Sequence, residues 1–244
     1  MKLFKRCYDN NKLNNVCVSN FKEAKNMLIV TPHPDDEVIG CGGMLIKYGS
    51  KFDVICISSA GVAFDSLDAK QRSDVRIQEF HNVMDYLQIK NNWIFETYGD
   101  PPFFEQIENH FEEYCSKLNF LKYDYIFCPY PYDSHPEHAY ITKKLLKRLL
   151  NKNGCSKDTY VVFFEVWTPI ARPNYYEPID EEIEEKMKVI QMYSSQLVDG
   201  WDYDRWINGL NSYRSMYNRH HKYSEAFQIL PIKKYLKKDF KEFL

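Results

Sequence analysis

The sequence predicts an α/β fold whose central sheet is mostly parallel and is covered by helices. Short runs of apolar and β-branched residues recur along the chain, and each run has the length of a strand. Segments of helical length separate most of these runs. Strands that alternate with helices of about ten or more residues form βαβ units, in which the strands lie parallel.

The first predicted strand is the apolar run Met27-Leu28-Ile29-Val30, and the others lie at 53–59, 93–95, 123–129 and 161–166. Helices are predicted at 43–48, 70–87, 103–118, 139–150 and 179–193, with a short element near 21–24 and a loop at 60–69. The segment 201–244 is aromatic and basic, and its pattern assigns no element. The order of elements is typical of a Rossmann-like three-layer sandwich, and we expect one domain over residues 1–244.

Composition excludes several classes of partner. The net charge is −2 and the basic residues are scattered, which argues against nucleic acid or an anionic membrane as a partner. No apolar stretch approaches the length of a membrane span, and no apolar segment follows the basic start at residues 1–6, so we expect a cytoplasmic location. The 7 cysteines are scattered and form no Cys-x-x-Cys pair, which fits a reducing compartment.

The loop after the first strand carries an unusual set of polar residues. One imidazole and three carboxylates follow each other closely in His33-Pro34-Asp35-Asp36-Glu37, and Pro32 and Pro34 restrict the backbone around His33. Open α/β sheets bind their ligands at the carboxyl ends of strands. Acidic residues at a helix start also complement the helix dipole, by about 0.3–1 kcal/mol each, but this explains neither the histidine nor the prolines. We interpret the loop as half of a metal site.

A second motif follows the fourth predicted strand. His135-x-x-His138 opens a helix, with Pro136 at its predicted first position. As an alternative, the two histidines are only polar capping residues. Their place after a strand that resembles the first in its setting favours a functional role.

Together the two motifs suit a catalytic zinc ion, which takes three protein ligands and keeps one position open for water. His33 and Asp36 supply two ligands, and either His135 or His138 supplies the third. Asp35 or Glu37 remains as general base, and the other histidine as a stabiliser of the oxyanion. Bound zinc acidifies its water and polarises a carbonyl, so the set is equipped to hydrolyse an amide or an ester.

The sequence resembles the PIG-L/LmbE-like zinc-dependent de-N-acetylases, which act on N-acetylglucosaminyl-inositol compounds and related amino sugars. The resemblance extends from about residue 27 to about 228. Besides the two motifs and the trailing glycines of the first, it is carried by Arg76-x-x-Glu79-Phe80, Glu165-Val166-Trp167-Thr168-Pro169, Tyr193-Ser194-Ser195-Gln196 and Glu225-Ala226-Phe227.

The resemblance implies a role for each residue of the two motifs. Asp35 would be the general base and later the acid for the leaving amine, and His135 would polarise the amide oxygen. Glu37 would brace the loop. Glu137 stands where many members of the family have Asp, so its contact with His135 would shift by a methylene. The zinc ligands would be His33, Asp36 and His138.

Two residues are predicted to contact the substrate. By resemblance Arg76 reaches the substrate, and Glu137 belongs to the same substrate-binding set. As an alternative, Arg76 is a surface residue paired with Glu79, an i,i+3 contact worth roughly 0.2–0.5 kcal/mol. Trp167 either stacks on a sugar or packs, and the aromatic segment 201–223 either covers the site or forms a subunit contact in a homo-oligomer.

The function implied is removal of acetate from an N-acetylated amino-sugar conjugate, a small molecule, by a zinc-dependent enzyme. One alternative is a metal-dependent esterase or phosphoesterase that uses the same activated water. Another is a sugar- or nucleotide-binding module without turnover. For that module, Gly40-x-Gly42-Gly43 suggests a dinucleotide site, but Leu45 takes the place of the last glycine of G-x-G-x-x-G.

Overall fold

The computed structural model describes residues 21–59, 67–97, 102–151, 154–197, 202–218 and 220–232. Their strands are β1 (Met27–Thr31), β2 (Phe52–Cys56), β3 (Asn91–Ile94), β4 (Tyr125–Pro129), β5 (Tyr160–Phe164), β6 (Tyr175–Pro178) and β7 (Ser224–Pro231). Their α-helices are α1 (Asp36–Tyr48), α2 (Ala69–Tyr86), α3 (Phe103–Ser116), α4 (Pro136–Leu150), α5 (Ile183–Gln191) and α6 (Tyr203–Arg214).

The strands form one sheet in the order β3-β2-β1-β4-β5-β7-β6. The first five strands in this order are parallel, and β7 runs antiparallel to both β5 and β6. Met27 of β1 is paired with Phe52 of β2 on one side and with Tyr125 of β4 on the other. The strand order reverses between β1 and β4, which is where open α/β sheets form a ligand crevice at the carboxyl ends of their strands.

Successive side chains of a buried strand point to opposite faces of the sheet, so both faces carry apolar side chains. Helices cover both faces. Met27 and Ile29 of β1 lie in one apolar core with residues of α1, α2, α5 and α6. Leu28 and Val30 lie in a second core with residues of α3 and α4. The predicted three-layer α/β architecture with a mostly parallel sheet is therefore confirmed.

The prediction for α1 was wrong at its start: the helix begins at Asp36 rather than at residue 43 and passes through the glycines. Cys41 has non-helical backbone angles and marks a kink. The glycines permit close packing, since a Cβ atom at Gly40 would clash with the Phe164 ring and one at Gly43 with Ile179.

Other boundaries shift by a few residues, and two strands were not predicted. Helix α4 begins at Pro136, so His135 is its N-cap residue. Strands β6 and β7 and helix α6 lie in segments to which the sequence assigned no element. The predicted short element near 21–24 is a 3₁₀ turn over Phe21–Glu23, and most of the predicted loop at 60–69 lies outside the described residues. In the described part of the chain, no helix has the length and apolar character that a membrane crossing requires.

A buried ion pair fixes α1 against the rest of the fold. The Lys186 ammonium of α5 lies 2.7 Å from a carboxylate oxygen of Glu225 on β7, and both side chains are almost fully buried. That carboxylate also accepts the backbone N–H groups of Gly43 and Met44, at 2.7 and 3.0 Å. These amides follow the kink at Cys41, so Glu225 satisfies donors that the interrupted helix leaves unpaired.

We expect Lys186→Met to destabilise the protein by about 3–5 kcal/mol, because it leaves the Glu225 carboxylate buried without its cation. Urea unfolding measures the change. The control is Lys70→Met, which removes an exposed i,i+4 pair with Asp74 and should change the free energy of unfolding by less than about 0.5 kcal/mol. Equal small losses in both variants would show that the buried pair does not hold α1.

Candidate active site

Three potential ligand atoms converge at the carboxyl ends of β1 and β4. His33 Nδ1 lies 3.3 Å from His138 Nε2 and 3.4 Å from Asp36 Oδ2. His138 Nε2 and Asp36 Oδ2 are 3.2 Å apart. All three residues are buried, and they form a group that could hold a metal ion. The loops after the two strands thus meet at one point, as the sequence predicts.

The spacing of these atoms fits a four-coordinate ion. Ligands at about 2.0–2.1 Å from a tetrahedral zinc ion lie roughly 3.3–3.4 Å from one another. The observed separations of 3.2–3.4 Å match this value on all three edges. Three protein atoms leave one tetrahedral position open, which distinguishes a catalytic site from a closed structural one.

The outer nitrogen of each imidazole faces a carboxylate. His33 Nε2 lies 2.6 Å from Glu137 Oε2, and His138 Nδ1 lies 3.2 Å from Asp133 Oδ1. A carboxylate at the outer nitrogen keeps the proton there and turns the lone pair of the inner nitrogen towards a metal. The sequence predicted a contact of Glu137 with His135, whereas the structure places this carboxylate against His33.

The sequence did not predict a role for Asp133, which lies before the His135-x-x-His138 motif. One of its oxygens accepts the backbone N–H of His135 at 2.9 Å, and the other accepts those of Trp167 and Thr168 at 3.0 Å each. The signal that could have found it is a carboxylate two residues before a candidate histidine, in the loop after a buried strand.

The electrostatics of the cluster favour positive charge at its centre. Burial alone would raise the pKa of Asp36, but the charge of His138 and hydrogen bonds from His138 and His33 hold this pKa well below its usual range. Burial alone would lower the pKa of His138, but Asp36 and Asp133 raise it to about 10. The carboxylates therefore stabilise a proton on the imidazoles, and a metal ion competes for the same place.

Asp35 lies beside this cluster in a strained conformation. Its φ is 111°, in the region that side chains rarely adopt, and its carbonyl accepts the N–H groups of Val38 and Ile39 as the N-cap of α1. Such strain costs about 1–3 kcal/mol and occurs mostly at functional sites. Burial and the nearby Asp36 charge raise the pKa of Asp35 to about 7, against the opposing charge of Arg76.

Glu37 is held by contacts within the fold. One of its oxygens accepts a hydrogen bond from the Tyr193 hydroxyl, and the other accepts the backbone N–H of Asp35 at 3.2 Å. Burial raises the pKa of Glu37 to about 8, with the Tyr193 hydrogen bond acting in the opposite direction. These contacts are those of a residue that braces the loop.

His135 lies beside the cluster, against both of its histidines. Its ring stacks on the His138 ring with centroids 4.5 Å apart and lies 5.2 Å from the His33 ring. Burial and the two neighbouring histidines lower its pKa. Its Nδ1 atom is buried and has no hydrogen-bond partner within the described residues. Phe103 forms a wall nearby, with its ring 6.0 Å from that of His33.

Arg76 is buried beside the loop that follows β1 rather than exposed at the surface. It is 4 % exposed, and one Nη atom donates to the Pro34 carbonyl at 2.9 Å. Its Nε is buried without a hydrogen-bond partner among the described residues. Glu79 instead accepts hydrogen bonds from Ser194 and Ser195. The alternative prediction of an exposed Arg76–Glu79 pair is therefore wrong.

The sequence matches a known protein family and a curated relative. The profile of the family described as "PIG-L: GlcNAc-PI de-N-acetylase" matches residues 28–149, which are 122 of the 244 residues. The curated diacetylchitobiose deacetylase of Thermococcus kodakarensis is 23 % identical over 233 residues, covering 86 % of this chain and 85 % of that protein.

Solved structures share the fold across most of their length. The N,N'-diacetylchitobiose deacetylase from Pyrococcus horikoshii, complexed with its inhibitor MPG, has a TM-score of 0.74 at 22 % identity, over 99 % of this chain and 98 % of that chain. GalB, the 4-carboxy-2-hydroxymuconate hydratase from Pseudomonas putida, has a TM-score of 0.64 at 15 % identity, over 84 % and 96 %. The fold thus supports more than one reaction, while the matched half of the chain, with the first motif and the histidine pair inside it, shows that this chain belongs to the PIG-L family.

Proposed function

We propose that the protein is a zinc-dependent hydrolase that removes the acetyl group from the nitrogen of an N-acetylated amino sugar, in a conjugate of the N-acetylglucosamine type. The observation that carries this proposal is the convergence of His33, Asp36 and His138 at tetrahedral spacing beside Asp35, a buried carboxylate outside the ligand set. The names of the relatives, deacetylases of acetylated sugars, support the substrate class.

The zinc ligands in this proposal are His33 Nδ1, Asp36 Oδ2 and His138 Nε2. Two imidazoles and a carboxylate form the nitrogen and oxygen donor set that catalytic zinc sites use, and no cysteine takes part. When bound, zinc supplies Lewis acidity, which acidifies a coordinated water and polarises a carbonyl. Glu137 and Asp133 hold the two imidazoles in the tautomers that present a lone pair inward.

Asp35 acts as the general base. Its burial and the adjacent Asp36 raise its pKa to about 7, and a base whose pKa lies near the working pH transfers protons most effectively. It takes a proton from the attacking water and passes it to the amine nitrogen as the C–N bond breaks. The products are acetate and the free amine, so atoms and charge balance.

His135 and Arg76 act on the substrate in this proposal. The lowered pKa of His135 and its position over His138 suit a hydrogen bond to the carbonyl oxygen as negative charge develops there. Arg76 is buried and keeps an unpaired Nε donor beside Pro34. The guanidinium charge would stabilise the ionised form of Asp35, and the guanidinium group would also contact an oxygen of the sugar.

We expect Asp35→Asn to lower the rate of acetate release by about 10²–10⁴-fold, because it removes the base, while bound zinc stays at one ion per chain. Acetate is assayed on N-acetylglucosamine conjugates, with zinc and with a chelator, and zinc content by mass spectrometry. The control is Asp53→Asn, which alters an aspartate with the same 7 % exposure at the opposite end of the sheet. Full activity of the Asp35 variant, or release of phosphate rather than acetate from a substrate panel, would contradict the proposal.

We expect Asp133→Asn to weaken zinc binding by about 10–100-fold, because His138 loses the carboxylate that orients it. Titration of the metal-free protein with zinc measures the dissociation constant. A matched control is Asp180→Asn, since Asp180 accepts two backbone N–H groups, where Asp133 accepts three, and contacts a histidine, His221, outside the cluster. The metal assignment would be wrong if both variants bound zinc as tightly as the natural protein.

A further inference from the structure

A buried ion pair joins the loop after β5 to the end of α6. The Glu165 carboxylate, directly after β5, meets the Arg214 guanidinium, and each side chain is 5 % exposed. Arg214 Nε donates to one carboxylate oxygen at 3.1 Å, and an Nη atom donates to the other. Two N–H groups on one carboxylate fix the orientation of both partners as well as their charge. The pair therefore holds the start of the loop in one place.

The same pair binds the backbone at the far end of this loop. Glu165 accepts the N–H of Ile170 at 2.6 Å, and Arg214 donates to the Ile170 carbonyl at 2.8 Å. Segment 165–170 is therefore tied at both ends, and its middle residues form a turn of fixed shape. A lysine could not replace Arg214 here, because its single ammonium lacks the planar fork of donors that the guanidinium supplies.

The middle of segment 165–170 forms a cradle for Asp133. The backbone N–H groups of Trp167 and Thr168 both donate to Asp133 Oδ2 at 3.0 Å. Thr168 also accepts the backbone N–H of Ser134 through its hydroxyl, at 2.8 Å. Successive backbone N–H groups that point to one side bind anions such as a carboxylate. The position of Asp133 therefore depends on the shape of this segment.

Asp133 transmits this position to the metal cluster. Asp133 Oδ1 lies 3.2 Å from His138 Nδ1, and His138 is one of the three residues that could hold the ion. A carboxylate at the outer nitrogen of a metal-binding histidine orients the ring of that histidine. Arg214 is thus connected to His138 by an unbroken series of contacts that runs from α6 to α4.

We propose that Glu165 and Arg214 are positioning residues of the metal centre. They hold segment 165–170 in the shape that cradles Asp133, and through Asp133 they orient His138 towards the zinc ion. This inference rests on the proposed zinc hydrolase. It gives a role to Glu165, which carries part of the family resemblance, and to α6, which lies in a segment where the sequence predicted no element.

We expect Arg214→Met to weaken zinc binding about tenfold, because segment 165–170 loses its ties and Asp133 no longer holds His138 in one orientation. The zinc-loaded protein is titrated with a competing chelator, so the measurement does not depend on turnover. Arg214→Met combined with Glu165→Met removes the pair without leaving a buried charge, which favours a folded protein, and should lose zinc affinity to the same extent. Unchanged zinc affinity in either folded variant would overturn the inference.

A control separates this role from general stabilisation of the fold. Tyr123→Phe removes a buried hydroxyl that donates to Asp53 at 2.6 Å, near the start of β2 and so at the opposite end of the sheet. We expect this variant to melt at a lower temperature and to bind zinc as tightly as the natural protein. If zinc affinity fell equally in Tyr123→Phe and Arg214→Met, the effect would be one of stability, and the inference would be wrong.

A double-mutant cycle tests whether Arg214 acts through Asp133. Once Asp133→Asn has removed the carboxylate from His138, adding Arg214→Met should change zinc affinity by less than about twofold, because residues that act through one contact are not additive. Losses that multiply would overturn the inference. Zinc binding that needs Arg214, in a protein that releases no acetate, would uphold the inference and refute the deacetylase. Zinc affinity unchanged by Arg214→Met in an active enzyme would refute the inference alone.

Discussion

The site depends on three polar atoms, two of imidazoles and one of a carboxylate, that face one another at 3.2–3.4 Å inside the protein. Buried polar groups are stable only when they are paired. Here Glu137 is hydrogen-bonded to the outer nitrogen of His33 at 2.6 Å, and Asp133 makes an ionic contact of 3.2 Å with the outer nitrogen of His138. The carboxylates outnumber the imidazoles, so the arrangement favours a cation at its centre.

The fold brings these atoms together through the pairing of β1 with β4. These strands are neighbours although three α-helices and two strands separate them in the part of the chain that the structure describes. The strand order of the sheet reverses between β1 and β4. No helix separates the loops that follow these two strands at the carboxyl edge of the sheet. The position of the site therefore follows from the topology of the sheet, and its chemistry follows from the side chains at the ends of the two strands.

The backbone strain at Asp35 is tolerated because contacts elsewhere in the fold hold the helix that follows it. Asp35 holds a φ of 111° at the start of a helix that is itself kinked at Cys41. Glu225 accepts the amides that follow this kink, Lys186 pairs with Glu225 and donates to the Ile39 carbonyl, and these contacts fix α1 to β7 and α5. Glu37 and Tyr193 fix the first turn. The strained aspartate can persist because the helix behind it is secured.

Much of the sheet was predictable because its parallel strands are buried on both faces, and such strands appear in the sequence as β-branched and apolar runs. Strand β6 was missed because Tyr175–Pro178 is short and carries a glutamate and a proline. Strand β7 was missed because its glutamate, Glu225, looks exposed in the sequence and is buried only through Lys186. An ion pair between residues so far apart along the chain leaves no pattern in the local sequence.

Within the site, local spacing identified the two loops but did not decide which histidine of the second motif completes the cluster. His138 was chosen through the family resemblance, and the structure places His138, rather than His135, in the group with His33 and Asp36. The burial of Arg76 and the role of Asp133 depend on how helices and loops pack, so the sequence alone could not fix them.

The most direct test of the account is anomalous diffraction at the zinc edge from crystals grown with zinc. We expect one strong peak per chain, about 2.0–2.2 Å from His33 Nδ1, Asp36 Oδ2 and His138 Nε2. A map without a peak at this position, or with zinc bound by other residues, would contradict it.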